Sequence, residues 1–164
     1  MGEILTDLSG IPKHILQKAG HWGTAVHNTT EYYDKGTLDE DKLHPRLKLV
    51  LAQYKLFLKD MNVKILEIEK PIFCKQFWYA GTLDRKAMFG AEKTLFDIKS
   101  GKKYKVAELQ TAAYKHADGE KDLTRYALYL DEKSYTLVPH KDEDDLKHFL
   151  SAVNCYNFIK KYGR

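Results

Sequence analysis

Three side chains between Gly81 and Tyr114 have types and spacing that could do chemistry together: carboxylates at Asp84 and Asp97, and an amine at Lys99. Asp97 and Lys99 are alternate residues, so on an extended strand both look to one face while Ile98 looks to the other. If Asp84 ends the neighbouring strand, its carboxylate comes within a few ångströms of Asp97, and carboxylates that close repel unless a cation lies between them. Magnesium suits oxygen ligands of this kind and keeps coordination positions for water and phosphate oxygens. A metal so held polarises a phosphoryl oxygen and lowers the pKa of a bound water, while Lys99 positions the water and stabilises the developing negative charge. That set is suited to hydrolysing phosphodiesters. Standing alone, it reads better as a turn aspartate beside an exposed cross-strand ion pair, and only the neighbouring motifs reverse that preference.

The elements that must position these groups follow from periodicity. Ile11 to Gly36 reads as helical, with Pro12 near its start and a face carrying Val26, His27 and Glu31; Lys35-Gly36 breaks it. Pro45 to Asp60 spaces Leu47, Val50, Leu51, Tyr54 and Leu58 as a core-facing helix with proline at its N-terminal end. Val63 to Phe73 alternates imperfectly, and Pro71 predicts that this strand bends or ends there. Phe77 to Met88 and Thr94 to Lys99 read as two more strands joined at Phe89-Gly90-Ala91, giving a meander.

Val106 to Ala117 fits a helix with Leu109, Ala112 and Ala113 apolar, stopped by Asp118-Gly119. Tyr126 to Leu130 and Tyr135 to Val138 form a hairpin turning at Asp131-Glu132-Lys133. Leu146, Phe149, Leu150 and Val153 mark a final amphipathic helix, and the acidic run Asp142 to Asp145 reads as its cap.

With 164 residues, 43% hydrophobic and 30% charged, the expectation is a single domain spanning 1–164. No window approaches the roughly 18 apolar residues of a membrane span, and MGEILTDLSG has neither the basic nor the apolar segment of a signal peptide, which predicts no membrane partner and a cytoplasmic location. Cys74 and Cys155 are too few and too scattered for a disulfide framework, a zinc site or an iron–sulfur cluster. A net charge of +4 and a pI near 8.8 fit a polyanion partner without requiring one.

The ordered pattern of His27, GTLDR with Asp84, DIKSG with Asp97 and Lys99, and LQTAAY with Gln110 and Tyr114 resembles the RecB-like branch of the PD-(D/E)XK nuclease superfamily. It is similar to small phage-type exonucleases and to the mitochondrial genome-maintenance exonuclease group. The resemblance runs from about Gly20 to Ala117, with Leu83 standing where the superfamily motif has proline. It implies an α/β fold with a restriction-endonuclease-like core, a central mixed β-sheet of about five strands flanked by helices.

The resemblance also implies roles. His27, Asp84, Asp97 and the carbonyl of Ile98 would be ligands of Mg2+ or Mn2+, and Lys99 the catalytic lysine. Gln110 and Tyr114, four positions apart and so on one helix face, would orient Lys99 or the DNA backbone. Glu69 matches the acidic residue preceding the GTLDR strand, with Glu67 competing for that place. Iron–sulfur members of the superfamily need more cysteines than the two here, so no cluster is expected.

The implied activity is a metal-dependent DNA exonuclease in recombination, replication or end processing, in a phage or its host cytoplasm. A structure-specific or site-specific endonuclease and a non-catalytic DNA-binding module are the alternatives, and homo-oligomers or a recombination partner protein stay open. Around this core, Arg85, Lys86, Lys102, Lys103 and Lys105 either contact phosphates or form a solvated basic turn. Trp22, Tyr32, Tyr33, Phe77, Trp78 and Tyr79 either stack on unpaired bases or fill the core. Glu31, one turn from His27, either tunes it or is solvated.

Overall fold

The computed structural model describes residues 13–163. Four helices, one 3-10 turn and five strands follow one another: α1 (Lys13–Asp34), the turn Glu40–Lys42, α2 (Pro45–Asp60), β1 (Val63–Cys74), β2 (Tyr79–Phe89), β3 (Glu92–Lys99), α3 (Val106–Asp118), β4 (Thr124–Leu130), β5 (Tyr135–Pro139) and α4 (Asp145–Tyr162). The helix start expected at Ile11-Pro12 lies outside the described residues.

Local chemistry explains the joints. α2 opens with Pro45 in its first turn, where the missing N–H is no loss, and His44 Nδ1 accepts the Arg46 N–H at 3.2 Å. β2 and β3 are joined by Gly90-Ala91, and Gly90, at φ 58, supplies the left-handed residue such a tight turn needs. β1, β2 and β3 form the expected antiparallel meander; α3 then crosses over, β4 lies parallel to β3, and β5 closes the far edge antiparallel to β4.

Helices cover both faces of this five-stranded mixed sheet, an α/β architecture. On one face Val26, Val50, Leu51, Tyr54 and Phe57 of α1 and α2 bury Ala87, Phe89, Phe96 and Ile98. On the other, α3 and α4 cover Ile72, Leu83, Leu95 and Tyr79. Among the described residues no helix is long and apolar enough to cross a membrane.

One irregularity matters for function. Leu83 packs with Leu95 and Leu123 on the α3 side, and Lys86 reaches Asp118 of α3, although strand alternation puts residues three apart on opposite faces. Side-chain alternation therefore slips between them, at Asp84-Arg85. Across the ladder on β1, Glu69 falls between the pairs Ile68/Arg85 and Lys70/Leu83 and has a left-handed φ of 49.

Several sequence expectations are corrected. β1 does not end at Pro71, which pairs with Thr82 inside a strand running to Cys74; β1 is an edge strand, where a proline costs no ladder bond. Asp84 lies within β2 and does not end it. The acidic run does cap α4, with Asp144 at the cap position and its N–H donating to Asp142 Oδ1 at 3.0 Å, but Asp145 also serves as an ion-pair anchor, fully buried and 3.1 Å from Arg125. α4 continues well past Val153, because its last turns project exposed residues that give no burial pattern to read.

Candidate active site

The β2–β3 ladder runs from Phe89/Glu92 to Arg85/Phe96 and stops there. Asp84 and Asp97 are the next residues, so they stand where the strands part; β3 stays held on its other side by β4, through Asp97/Ala127 to Lys99/Tyr129. At this fork Asp84 Oδ2 accepts the Ile98 N–H at 2.8 Å, a side chain doing what the ladder no longer does. His27 Nδ1, from the middle of α1, lies 3.3 Å from the same oxygen. One ligand atom each from His27, Glu69 and Asp84 lie within 4.8 Å of one another.

Lys99 shares the face of β3 with Asp97, as alternation requires. Its Nζ is 2.6 Å from Oδ2 of Asp97, a residue 1% exposed, in a largely buried ion pair. Lys99 also donates to Gln110 Oε1 at 2.9 Å, and Gln110 Nε2 donates to the Tyr114 hydroxyl at 2.6 Å. Gln110 and Tyr114 sit one turn apart on α3. Gly81 makes room for the tyrosine ring: a Cβ there would lie 2.9 Å from Tyr114 Cε1.

The electrostatics of the fork follow from burial and from the charges packed together there. Burial, then the neighbouring Asp97, pushes the Asp84 carboxyl well above the usual carboxylate range. Burial also pulls His27 below its ordinary value, against the pull of Asp97, which favours the neutral imidazole that ligates metals. For Lys99 burial works against the charge, but Asp97 outweighs it and holds the ammonium above its ordinary pKa. The Asp84 carboxylate, Asp97 beside it and the His27 imidazole would suit a divalent cation with oxygen-rich coordination, Asp97 being ion-paired with Lys99 in this structure. Ile98 contributes its backbone to this fork, while its side chain is buried in the α1–α2 face.

Arg85 and Lys86 do not face a phosphate. Arg85 is 0% exposed and committed on several sides: Nε donates to Asp34 Oδ2 at 2.6 Å, and Nη1 to Glu69 Oε1 at 2.9 Å and to the Asp84 carbonyl at 2.7 Å. Lys86 is buried against Asp118 at 2.8 Å and Glu120 at 2.6 Å. Both were read as surface cations because their partners lie far off in sequence. Asp34 and Tyr54, whose hydroxyl donates to Asp34 Oδ2 at 2.6 Å, and Asp118 were missed for the same reason.

The remaining candidates divide. Glu69 faces the cluster, whereas Glu67 pairs with Lys70 at 2.8 Å. Glu31 pairs with Lys35. Lys102 and Lys103 are exposed in the loop after β3, with Lys103 Nζ 5.6 Å from the Tyr129 ring centroid, and Lys105 is tied to Glu108 and Asp142. Tyr33, Phe77 and Trp22 pack against the core, the last beneath the Arg46 guanidinium at 4.4 Å, and Tyr79 is buried. Trp78 is 78% exposed at the β1–β2 turn, edge-on to the half-exposed Phe73 with centroids 6.0 Å apart. Tyr32 is exposed on α1.

A cavity of about 730 Å³ lies elsewhere, between α3, the start of β4 and the N-terminus of α4. It sets Lys115, Arg125 and His140 against Glu92, Glu120 and Glu143, a mixture with no convergent donor set, and none of the fork residues lines it.

No protein-family model matches the chain, and no curated protein matches it. The fold has a solved counterpart. A crystal structure described as "Putative exonuclease", from Eubacterium rectale, superposes with a TM-score of 0.59, covering 87% of this chain and 68% of that one at 13% identity. The likeness is one of fold, a mixed sheet between helices.

Proposed function

We propose that this chain is a metal-dependent deoxyribonuclease of the RecB-like PD-(D/E)XK kind, acting as an exonuclease. The observation that carries the reading is the fork: Asp84, Asp97 and Lys99 converge where β2 and β3 part, with His27 beside Asp84 and Lys99 ion-paired to Asp97. The nuclease-like fold and the printed name of its structural counterpart support it.

His27, Asp84, Asp97 and the Ile98 carbonyl would hold Mg2+ or Mn2+, which when bound supplies Lewis acidity at a phosphoryl oxygen and a more acidic water. The chain does the rest. Lys99, kept charged by Asp97, orients the attacking water and neutralises charge growing on the phosphate. Gln110 and Tyr114 fix where the ammonium points. Asp84 is clamped by the Ile98 N–H, so the cluster is organised before substrate arrives. Lys102 lies in the exposed loop at the end of the active strand, placed for phosphates flanking the cut, and Trp78 offers a free ring face for an unpaired base. The partner is DNA with a free end, and recombination, replication or end processing in a phage or bacterial host is the setting this implies, with self-association or a recombination partner protein compatible with it.

The test incubates wild type and Lys99→Ala with end-labelled linear and with circular single-stranded DNA, in Mg2+, in Mn2+ and in chelator. Metal-dependent loss of linear DNA alone, absent in Lys99→Ala, is the expected result. Cutting of the circle assigns an endonuclease instead. Intact linear and circular single strands, and intact duplex DNA in the same assay, overturn the enzymatic reading.

A further inference from the structure

We infer that Glu69 is a further ligand-bearing residue of the metal centre, and that Arg85 is the positioning residue that aims it. The inference rests on the metal reading above and extends it to residues that reading does not use. Glu69 adopts a left-handed backbone, φ 49, inside β1, just past the register shift between Ile65 and Glu67 and away from any turn. A non-glycine residue persists in that region only when its surroundings determine it, and such residues cluster at functional sites. Here the determinant is visible. Arg85 Nη1 grips Glu69 Oε1 at 2.9 Å and the Asp84 carbonyl at 2.7 Å, so one guanidinium fixes a side chain on β1 and the main chain on β2 at the point where side-chain alternation slips.

The guanidinium is itself immobile. Its Nε donates to Asp34 Oδ2 at 2.6 Å, an oxygen that also accepts from the Tyr54 hydroxyl at 2.6 Å, and its Nη2 lies 3.4 Å from Thr30 Oγ1. α1 and α2 thus act as a backstop for the arginine, and the arginine for the glutamate. The result is that a Glu69 ligand atom lies within 4.8 Å of those of His27 and Asp84. Only a planar fork with several donors reaches Asp34, Glu69 and Asp84 at once; an ammonium in its place keeps the charge and loses the bridge.

The test is Mn2+ binding without DNA, read by titration calorimetry and by the Mn2+ paramagnetic resonance signal, on wild type, Asp97→Asn, Glu69→Gln, Arg85→Lys and the Glu69→Gln/Arg85→Lys pair. Asp97→Asn should abolish binding, locating it at this centre. Glu69→Gln and Arg85→Lys should each weaken Kd by about tenfold, and the pair should bind no more weakly than Glu69→Gln alone, since Arg85 acts through Glu69. A merely structural arginine would give losses that add, and that result overturns its positioning role. Unchanged affinity in Glu69→Gln, with Asp97→Asn still abolishing binding, overturns the inference and leaves the metal reading standing. A wild type that binds no Mn2+ overturns both. If Arg85→Lys does not give a cooperative thermal melt, Asp34→Asn, which removes the arginine's charged anchor, replaces it with the same expected non-additivity.

Discussion

Asp84 Oδ2 and the Ile98 N–H are 2.8 Å apart, so a β2 side chain supplies the bond that the β2–β3 ladder stops giving beyond Arg85/Phe96. The carboxylate is therefore both a clamp and a buried charge next to Asp97. Asp84→Asn separates these roles, because the amide oxygen still accepts from Ile98 while the charge is gone. Its metal-free stability should equal or exceed wild type, by on the order of 1 kcal/mol. The thermal shift caused by Mn2+ and the nuclease activity should both vanish. Calorimetric melts with and without Mn2+ check this; a destabilised Asn variant would mean that the charge supports the fold.

Lys99 stands at the fork beside Asp97 and is aimed by Gln110, which is held by Tyr114. Lys99→Ala should lower kcat by about 10²–10³-fold, the size of a lost oxyanion donor, with little change in DNA affinity. Equal losses in kcat and in DNA affinity would make Lys99 a phosphate anchor instead.

Gly81 tests the same chain from behind. The Cβ of Gly81→Ala would stand 2.9 Å from Tyr114 Cε1, so the ring must shift and carry Gln110 with it. The expected signature is a fall in kcat of roughly tenfold, in line with ångström-scale misplacement of a catalytic group, with Mn2+ affinity unchanged. Restoration in Gly81→Ala/Tyr114→Leu of the rate that Tyr114→Leu has alone would confirm the route.

What the sequence revealed depended on distance along the chain. The meander, the Gly90 turn and the shared face of Asp97 and Lys99 rest on local periodicity, whereas the mixed α/β sheet between helices is implied by the family resemblance of the ordered motifs. Arg85 and Lys86 read as phosphate contacts or a solvated basic turn because their partners Asp34 and Asp118 lie 51 and 32 residues away, and buried cations are rare. The alternation slip at Glu69 and Asp84 was invisible for another reason: a period-two reading assumes the regularity that the site breaks. Pro71 misled because its edge position is a property of the sheet.

Asp118 shows what those distant pairs do. As the last residue of α3 it binds Lys70 with Oδ1 at 2.7 Å and Lys86 with Oδ2 at 2.8 Å, fastening the crossover helix to β1 and β2. Burial raises its pKa, but hydrogen bonds from Lys70 and Lys86 outweigh this and hold it below the ordinary 3.8. A depressed carboxylate stabilises the fold above its unfolded pKa and loses that contribution as pH falls through the folded value. Asp118→Asn should cost about 1.5–3 kcal/mol at neutral pH. Urea melts at pH 7 and at about pH 3 should show the gap from wild type narrowing in acid; a gap independent of pH would assign the loss to packing.

Trp78 offers the most direct reading of the substrate. It is 78% exposed, and truncating it removes few buried contacts, so Trp78→Ala should leave the melting temperature nearly unchanged. If its ring stacks on an unpaired base, the same change should weaken single-stranded DNA binding by about 1–3 kcal/mol, the worth of one base–aromatic contact, and spare duplex binding. Fluorescence can watch this residue alone. The chain has two tryptophans, and the other, Trp22, lies beneath Arg46, so Trp22→Phe leaves Trp78 as the single reporter. Quenching on addition of a short single strand, in chelator so that nothing is cut, places the base on this ring; an unquenched Trp78 with the strand demonstrably bound moves the path of DNA away from the β1–β2 turn.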